Sequence, residues 1–114
     1  MPHFILDCTE PILELQKPRD IIEAVFKVAC STDLFGRDDI KVRLNPFKYS
    51  LVQDGDADFI HVFGNIMQGR TDAQKANLSR EIVSKLKEMF PEVPIISMNI
   101  RDFEKSSYCN KTMI

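Results

Sequence analysis

The stretch Phe59-Ile60-His61-Val62-Phe63-Gly64-Asn65-Ile66-Met67, continued through Gln68-Gly69-Arg70-Thr71-Asp72-Ala73-Gln74 to Val93-Pro94-Ile95-Ile96-Ser97-Met98-Asn99-Ile100, decides the fold. Its first nine residues read as a long strand interrupted by Gly64. Thr71 and Gln74 have the spacing of a capping box, in which two side chains three residues apart satisfy backbone N–H donors at a helix start. Leu78, Ile82, Val83, Leu86 and Phe90 then recur at helical spacing, with Lys75, Arg80, Lys85 and Lys87 on the solvated side. Pro91 stops the helix, and Val93 to Ile100 forms a last main strand before a polar tail through Asp102, Glu104 and Lys105 to Ser107. Strand, helix and strand make one βαβ unit.

Upstream the same order repeats. Residues 2–8 read as a strand broken at Glu10-Pro11, and residues 11–16 fit no single element. Pro18 suits a helix start, because its missing N–H is one of the donors the first turn leaves unpaired. Ile21, Ile22, Val25, Phe26 and Ala29 form one apolar stripe over residues 18–30, and the run ends in Ser31-Thr32-Asp33. Ile40, Val42 and Leu44 alternate with Lys41 and Arg43, the period of a strand with one buried face, so both cations project from the same side. Pro46 is expected to close that strand. An Asp-rich connection from Tyr49 to Asp58, containing Gly55, turns the chain.

The expected architecture is α/β (α+β): one domain over residues 1–114, pseudo-duplicated as residues 2–46 and 58–103, although identity between the halves is weak. Two right-handed crossovers give a four-stranded sheet with both helices on one face. That leaves the other face uncovered. Phe4, Leu6 and the alternating residues of the later strands are expected to expose apolar area there, which favours association of several chains.

Bulk properties exclude several classes of function. With 15 Lys and Arg against 17 Asp and Glu, the net charge of −2 supplies no global field for nucleic acid or a membrane surface, so any anion binding is local. Three widely spaced cysteines, Cys8, Cys30 and Cys109, form no CxxC pair and fit reduced thiols in a cytoplasmic protein. No apolar run approaches the roughly 20 residues of a membrane span, and Asp7 and Glu10 argue against a signal peptide. His3 and His61 stand in no metal-ligand spacing, so no metal site is expected.

The first residues, Met1-Pro2-His3-Phe4-Ile5-Leu6, carry the chemistry. Removal of Met1 leaves a secondary amine tied down by a strand that starts at once, not frayed into solvent. An α-amino group with an ordinary pKa of about 7.7–8.0 needs only a modest downward shift to serve as a base at neutral pH. Apolar burial and neighbouring cations both shift it that way. If Met1 stays, the same nitrogen is an amide without useful basicity. Pro2 also has a plainer explanation, since a proline in second position simply permits methionine removal.

Gly69-Arg70-Thr71-Asp72-Ala73-Gln74-Lys75 resembles the Gly-Arg-Ser/Thr-Asp-x-Gln-Lys signature of the tautomerase superfamily, whose members use an amino-terminal proline. The opening Pro2-His3-Phe4-Ile5, the pair Asp7-Cys8 and the chain length are similar to the 5-carboxymethyl-2-hydroxymuconate Δ-isomerases. The likeness runs from Pro2 to about Ile100, with a weaker echo at Tyr108-Cys109-Asn110-Lys111. It implies a cofactor-independent isomerase of bacterial aromatic catabolism that moves a proton within an unsaturated oxo- or hydroxy-dicarboxylate, assembled as a homotrimer with the site near a subunit boundary.

In that reading Pro2 is the base, and Arg70 matches the signature arginine that binds a substrate carboxylate. The second family arginine lies on the strand that ends the first βαβ unit. Here the matching position is Lys41, which keeps the charge but loses the bidentate fork, with Arg43 two residues on. The pair is taken jointly as substrate-binding. For all three cations the simpler alternative is a solvated surface charge. Two rival functions remain: a non-catalytic ferredoxin-like ligand-binding or regulatory module, and a different reaction on the same fold.

Overall fold

The computed structural model describes residues 1–114. Strand β1 (His3–Thr9) leads through a short helix α1 (Ile12–Leu15) into α2 (Pro18–Ser31), and β2 (Lys41–Phe47) closes the first unit. The second consists of β3 (Phe59–Met67), α3 (Asp72–Met89) and β4 (Ile95–Phe103). The sheet order is β2-β1-β3-β4. Each unit contributes a parallel pair, β1 with β2 and β3 with β4, and β1 meets β3 antiparallel with Phe4 opposite Gly64 and Leu6 opposite Val62. The ambiguous 11–16 segment is thus a single helical turn.

Local chemistry accounts for the element ends. Pro18 occupies the first turn of α2 as its missing donor allows. Thr71 Oγ1 accepts from Gln74 N at 3.1 Å while Gln74 Oε1 accepts from Thr71 N at 2.9 Å, so the capping box is complete.

The core lies between the sheet and α2 and α3. Phe4, Leu6 and Cys8 of β1, Ile60 and Val62 of β3, Ile21 and Val25 of α2, and Leu78, Ile82 and Leu86 of α3 are all essentially inaccessible. Burying a side chain of this kind contributes about 1.5–3 kcal/mol.

Four expectations need correction. Pro46 does not close β2; it pairs with Cys8 inside the strand, which is possible because β2 is an edge strand and the ladder requires no donor on its outer side. Gly64 does not interrupt β3. An added Cβ there would stand 2.9 Å from Met98 Cε and 3.3 Å from Ile100 Cγ1, so the glycine makes room for neighbouring core side chains within a continuous strand. The last strand runs on to Phe103, and the residues beyond form two 3-10 turns, Lys105–Ser107 and Lys111–Met113.

The fourth correction concerns the uncovered sheet face. Phe4 and Leu6 point the other way, into the helices. The open face carries mixed side chains instead: His3 with Arg43, Ile5, Phe63, and His61 hydrogen-bonded through Nδ1 to Ser97 Oγ at 2.6 Å and through Nε2 to Asn99 Oδ1 at 2.7 Å. No helix is long and apolar enough to cross a membrane.

Candidate active site

Pro2 enters the sheet at the start of β1, where its carbonyl accepts the backbone N–H of Lys41 at 3.1 Å. The residue is buried and forms one wall of a cleft of about 340 Å³. Opposite it are Leu34, Phe35 and Gly36 from the turn after α2, Met67 and Arg70 from the turn between β3 and α3, and Tyr108 and Asn110 from the C-terminal tail. The two βαβ units and the tail therefore converge on the first residues of the chain.

Two unusual backbone conformations aim these turns. Asp33 has φ 59° and reverses the chain at the end of α2, which directs Leu34 and Phe35 toward the cleft. Gly69 has φ 123°, a value side-chain-bearing residues rarely adopt, and it sets Arg70 just before the capping box. Arg70 is half-buried and tightly held. Its Nη2 donates to the Leu34 carbonyl at 2.6 Å, its Nη1 to the Met67 carbonyl at 3.3 Å, and its guanidinium carbon lies 5.0 Å from the centre of the Phe35 ring. A cation over an aromatic face is attracted by the ring quadrupole, so Phe35 forms a platform for the charge.

The Met1 α-amine donates to the Asp39 carbonyl at 3.0 Å and lies 3.9 Å from the Asp39 carboxylate. Burial holds this amine below its ordinary value of 8.0; Lys41 and Arg70 act in the same direction, and Asp39 opposes them.

Of the four residues predicted from sequence, Pro2 and Arg70 line the same cleft. Lys41 stands at its edge, with Nζ donating at 2.7 Å to the Asp39 carbonyl that also receives the Met1 amine. Arg43 is not brought into the cleft. Its Nη1 lies 3.0 Å from His3 Nδ1 on the open sheet face. Because an arginine only donates, His3 accepts through Nδ1 and is neutral with its proton on Nε2. Burial, then Arg43, Lys41 and the terminal ammonium, push the imidazole below its ordinary value. Lys75, the last residue of the signature, is engaged by Asp102 at 3.2 Å and Asp72 at 3.8 Å.

Sequence reasoning missed Phe35, Tyr108 and Asn110. The signals for them are faint: Phe35 belongs to an apolar pair set between Asp33 and Gly36, and Tyr108 and Asn110 stand in the tail's weaker family echo, with Tyr108 the one aromatic residue beyond Phe103.

A family model described as 5-carboxymethyl-2-hydroxymuconate isomerase matches residues 2–114. No curated protein matches the chain by sequence. Among solved structures, a 5-carboxymethyl-2-hydroxymuconate isomerase from Deinococcus radiodurans R1 superposes with a TM-score of 0.85 at 19% identity, over 96% of this chain and 88% of that one. A 5-carboxymethyl-2-hydroxymuconate delta-isomerase gives 0.81 at 12% identity, over 97% and 87%. A symmetric trimer of wild-type fused 4-OT gives 0.80 at 16%, over 96% and 93%. At these identities the structures establish the tautomerase-like α+β fold alone. Because the family model spans all but the first residue, the chain belongs to the 5-carboxymethyl-2-hydroxymuconate isomerase family, a family of isomerases.

Proposed function

We propose that Pro2, exposed as an N-terminal imino acid by removal of Met1, is the base of a cofactor-independent isomerisation. The substrate class is an unsaturated oxo- or hydroxy-dicarboxylate of the kind named by the family, which belongs to aromatic catabolism in the cytoplasm. The observation that carries this reading is that buried Pro2 and the anchored guanidinium of Arg70 line one cleft. A base alone moves no proton from carbon at a useful rate; it needs positive charge or donors where the enolate oxygen develops and where the substrate carboxylates bind.

In this mechanism the Pro2 nitrogen takes a proton from one carbon, the electron pair delocalises into a dienolate, and the same nitrogen returns the proton to another carbon. Arg70 holds a carboxylate through paired charge-assisted hydrogen bonds. Lys41 supplies the second cation at the cleft edge, and Arg43 supports it through the field it adds beside His3. Abstraction requires a neutral amine, and a Pro2 nitrogen released in this buried position beside Lys41 and Arg70 meets the two influences, burial and neighbouring cations, that favour the neutral form.

A homotrimer is part of the proposal. It is supported by the trimeric 4-OT relative of the same fold. Exposed Phe47, Tyr49 and Leu51, with Met113 and Ile114 at the other end of the chain, are apolar surface of the kind that subunit contacts cover.

The test is kinetic. Protein shown by intact mass to begin at Pro2 is expected to ketonise a simple enol such as phenylenolpyruvate, and Pro2→Ala is expected to lower the rate by about 10²–10⁴-fold, the usual contribution of a positioned base. A Pro2→Ala protein as fast as the wild type overturns the assignment. Absence of any activity with enols or dicarboxylates supports the non-catalytic module instead.

A further inference from the structure

We infer that the Tyr108 hydroxyl is the donor that stabilises the enolate oxygen, an assignment that rests on the reading of Pro2 as the base. Tyr108 lines the cleft with Pro2 and Arg70, and its hydroxyl has a defined polarity. Asn110 Oδ1 accepts two bonds from Thr112, from the backbone N–H at 3.0 Å and from Oγ1 at 2.7 Å. That fixes the Asn110 amide with its NH₂ turned to Tyr108, where Nδ2 donates to the phenolic oxygen at 3.3 Å. The phenol therefore accepts from the chain, and the chain offers its hydrogen no acceptor. A hydroxyl arranged in this way is a donor awaiting an oxygen.

The tyrosine is also held in place. Its ring packs against Phe103 with centroids 6.1 Å apart, Phe103 packs edge-on with His3 at 6.1 Å, and the tail is tied to the β3–α3 turn by the Lys105 N–H on Gln68 Oε1 at 2.7 Å. A donor fixed before the substrate arrives needs little reorganisation as charge develops, which is the condition for a large electrostatic contribution.

The step balances without a co-reactant. The C–H bond breaks, its proton goes to the Pro2 nitrogen, its electron pair forms the carbon–carbon double bond of the dienolate, and the carbonyl π pair moves to oxygen. Tyr108 donates a hydrogen bond to that oxygen and keeps its hydrogen throughout. Arg70, already committed to two carbonyls, remains for the carboxylate.

The experiment compares wild type, Pro2→Ala and Tyr108→Phe, each with Met1 removed, in ketonisation of phenylenolpyruvate. Tyr108→Phe keeps the ring and its packing. It is expected to lower kcat by about 10²-fold, the lower end of the loss for one oxyanion donor, while KM changes by less than about threefold. The melting temperature is expected to stay where it is. Unchanged kcat, or a loss that appears in KM and melting temperature together, overturns the assignment in favour of a packing role. If Pro2→Ala is inactive and Tyr108→Phe is fully active, only the tyrosine assignment fails; if Pro2→Ala equals the wild type, the base reading fails and the tyrosine assignment falls with it.

Discussion

Arg70 Nη2 donates to the carbonyl oxygen of Leu34 at 2.6 Å, which ties the turn that opens α3 to the turn that ends α2. One side chain thus joins the two βαβ units at the cleft while its remaining N–H groups stay available. Arg70→Ala is expected to lower kcat/KM by about 10–100-fold, since a hydrogen bond to a charged group is worth about 1.5–3 kcal/mol. The loss should appear mainly in KM. Arg70→Lys should recover only part of it, because an ammonium cannot reproduce the planar fork. Steady-state kinetics with a dicarboxylate substrate check both, and a KM unchanged in Arg70→Ala removes the residue from substrate binding.

The fold was legible because its signals are local. The capping box Thr71–Gln74, the proline at the start of α2 and the period-2 run Ile40–Leu44 each act through neighbours in sequence, and each element appears where those residues require it. What was illegible depends on distant partners. Phe4, Leu6 and Cys8 mark the apolar face of β1 against His3, Ile5 and Asp7, but which side of the sheet the helices cover is set by packing between elements distant in sequence, so the expectation places Phe4 and Leu6 on the open side and the structure places them under the helices. Pro46 reads as a terminator until the strand is known to lie at an edge. At the cleft, Pro2 and Arg70 carried their own signals, whereas Phe35 and Tyr108 become site residues only when two turns and the tail fold back on residue 2.

His3 makes a pH prediction with a definite sign. Arg43 donates to its Nδ1, so protonation of the ring replaces an acceptor with a second donor facing a guanidinium. The folded-state pKa lies below the ordinary 6.5, chiefly through burial. The stabilisation is therefore complete above pH 6.5 and is lost as the pH falls through the lowered folded value, where the unfolded chain binds the extra proton first. Urea midpoints measured in steps below pH 6.5 should fall more steeply for the wild type than for His3→Gln. Parallel curves would show that His3 titrates alike in both states.

Gly64 lies opposite Phe4 in the register and faces the helices. A methyl group added there meets the end of Met98 at 2.9 Å, which can swing aside, and Ile100 Cγ1 at 3.3 Å, which must yield slightly, while Phe4 Cε1 at 3.5 Å is in ordinary contact. Gly64→Ala is expected to cost about 1 kcal/mol and Gly64→Val about 3 kcal/mol, the range for overpacked cores. Chemical denaturation of both variants checks the order; a stabilised Gly64→Ala would mean that the site holds unused space.

Lys41 and Arg43 separate by their surroundings. The Lys41 ammonium is 2.7 Å from the Asp39 carbonyl at the cleft mouth, whereas the Arg43 guanidinium is engaged by His3 on the sheet face. Lys41→Ala should therefore reduce kcat/KM by about tenfold, close to one charge-assisted hydrogen bond, and Arg43→Ala by less than about threefold. The reverse order would assign the second carboxylate to Arg43, and equal losses would mean that the two act only through their summed field.

Met1 decides whether the proposed chemistry exists in a given molecule. While it is present, the Pro2 nitrogen is an amide, the methionine itself lines the cleft, and its amine is pinned to the Asp39 carbonyl at 3.0 Å. In that state the terminal amine, though depressed by burial, belongs to a different atom one residue away from the proposed base. Preparations that differ in the fraction of chains lacking Met1, quantified by intact mass, should show activity proportional to that fraction. The retained form itself should be slower by about 10²–10⁴-fold, the contribution of a general base. Equal turnover by both forms would require a base other than Pro2, because no amide nitrogen can accept a carbon-bound proton at neutral pH.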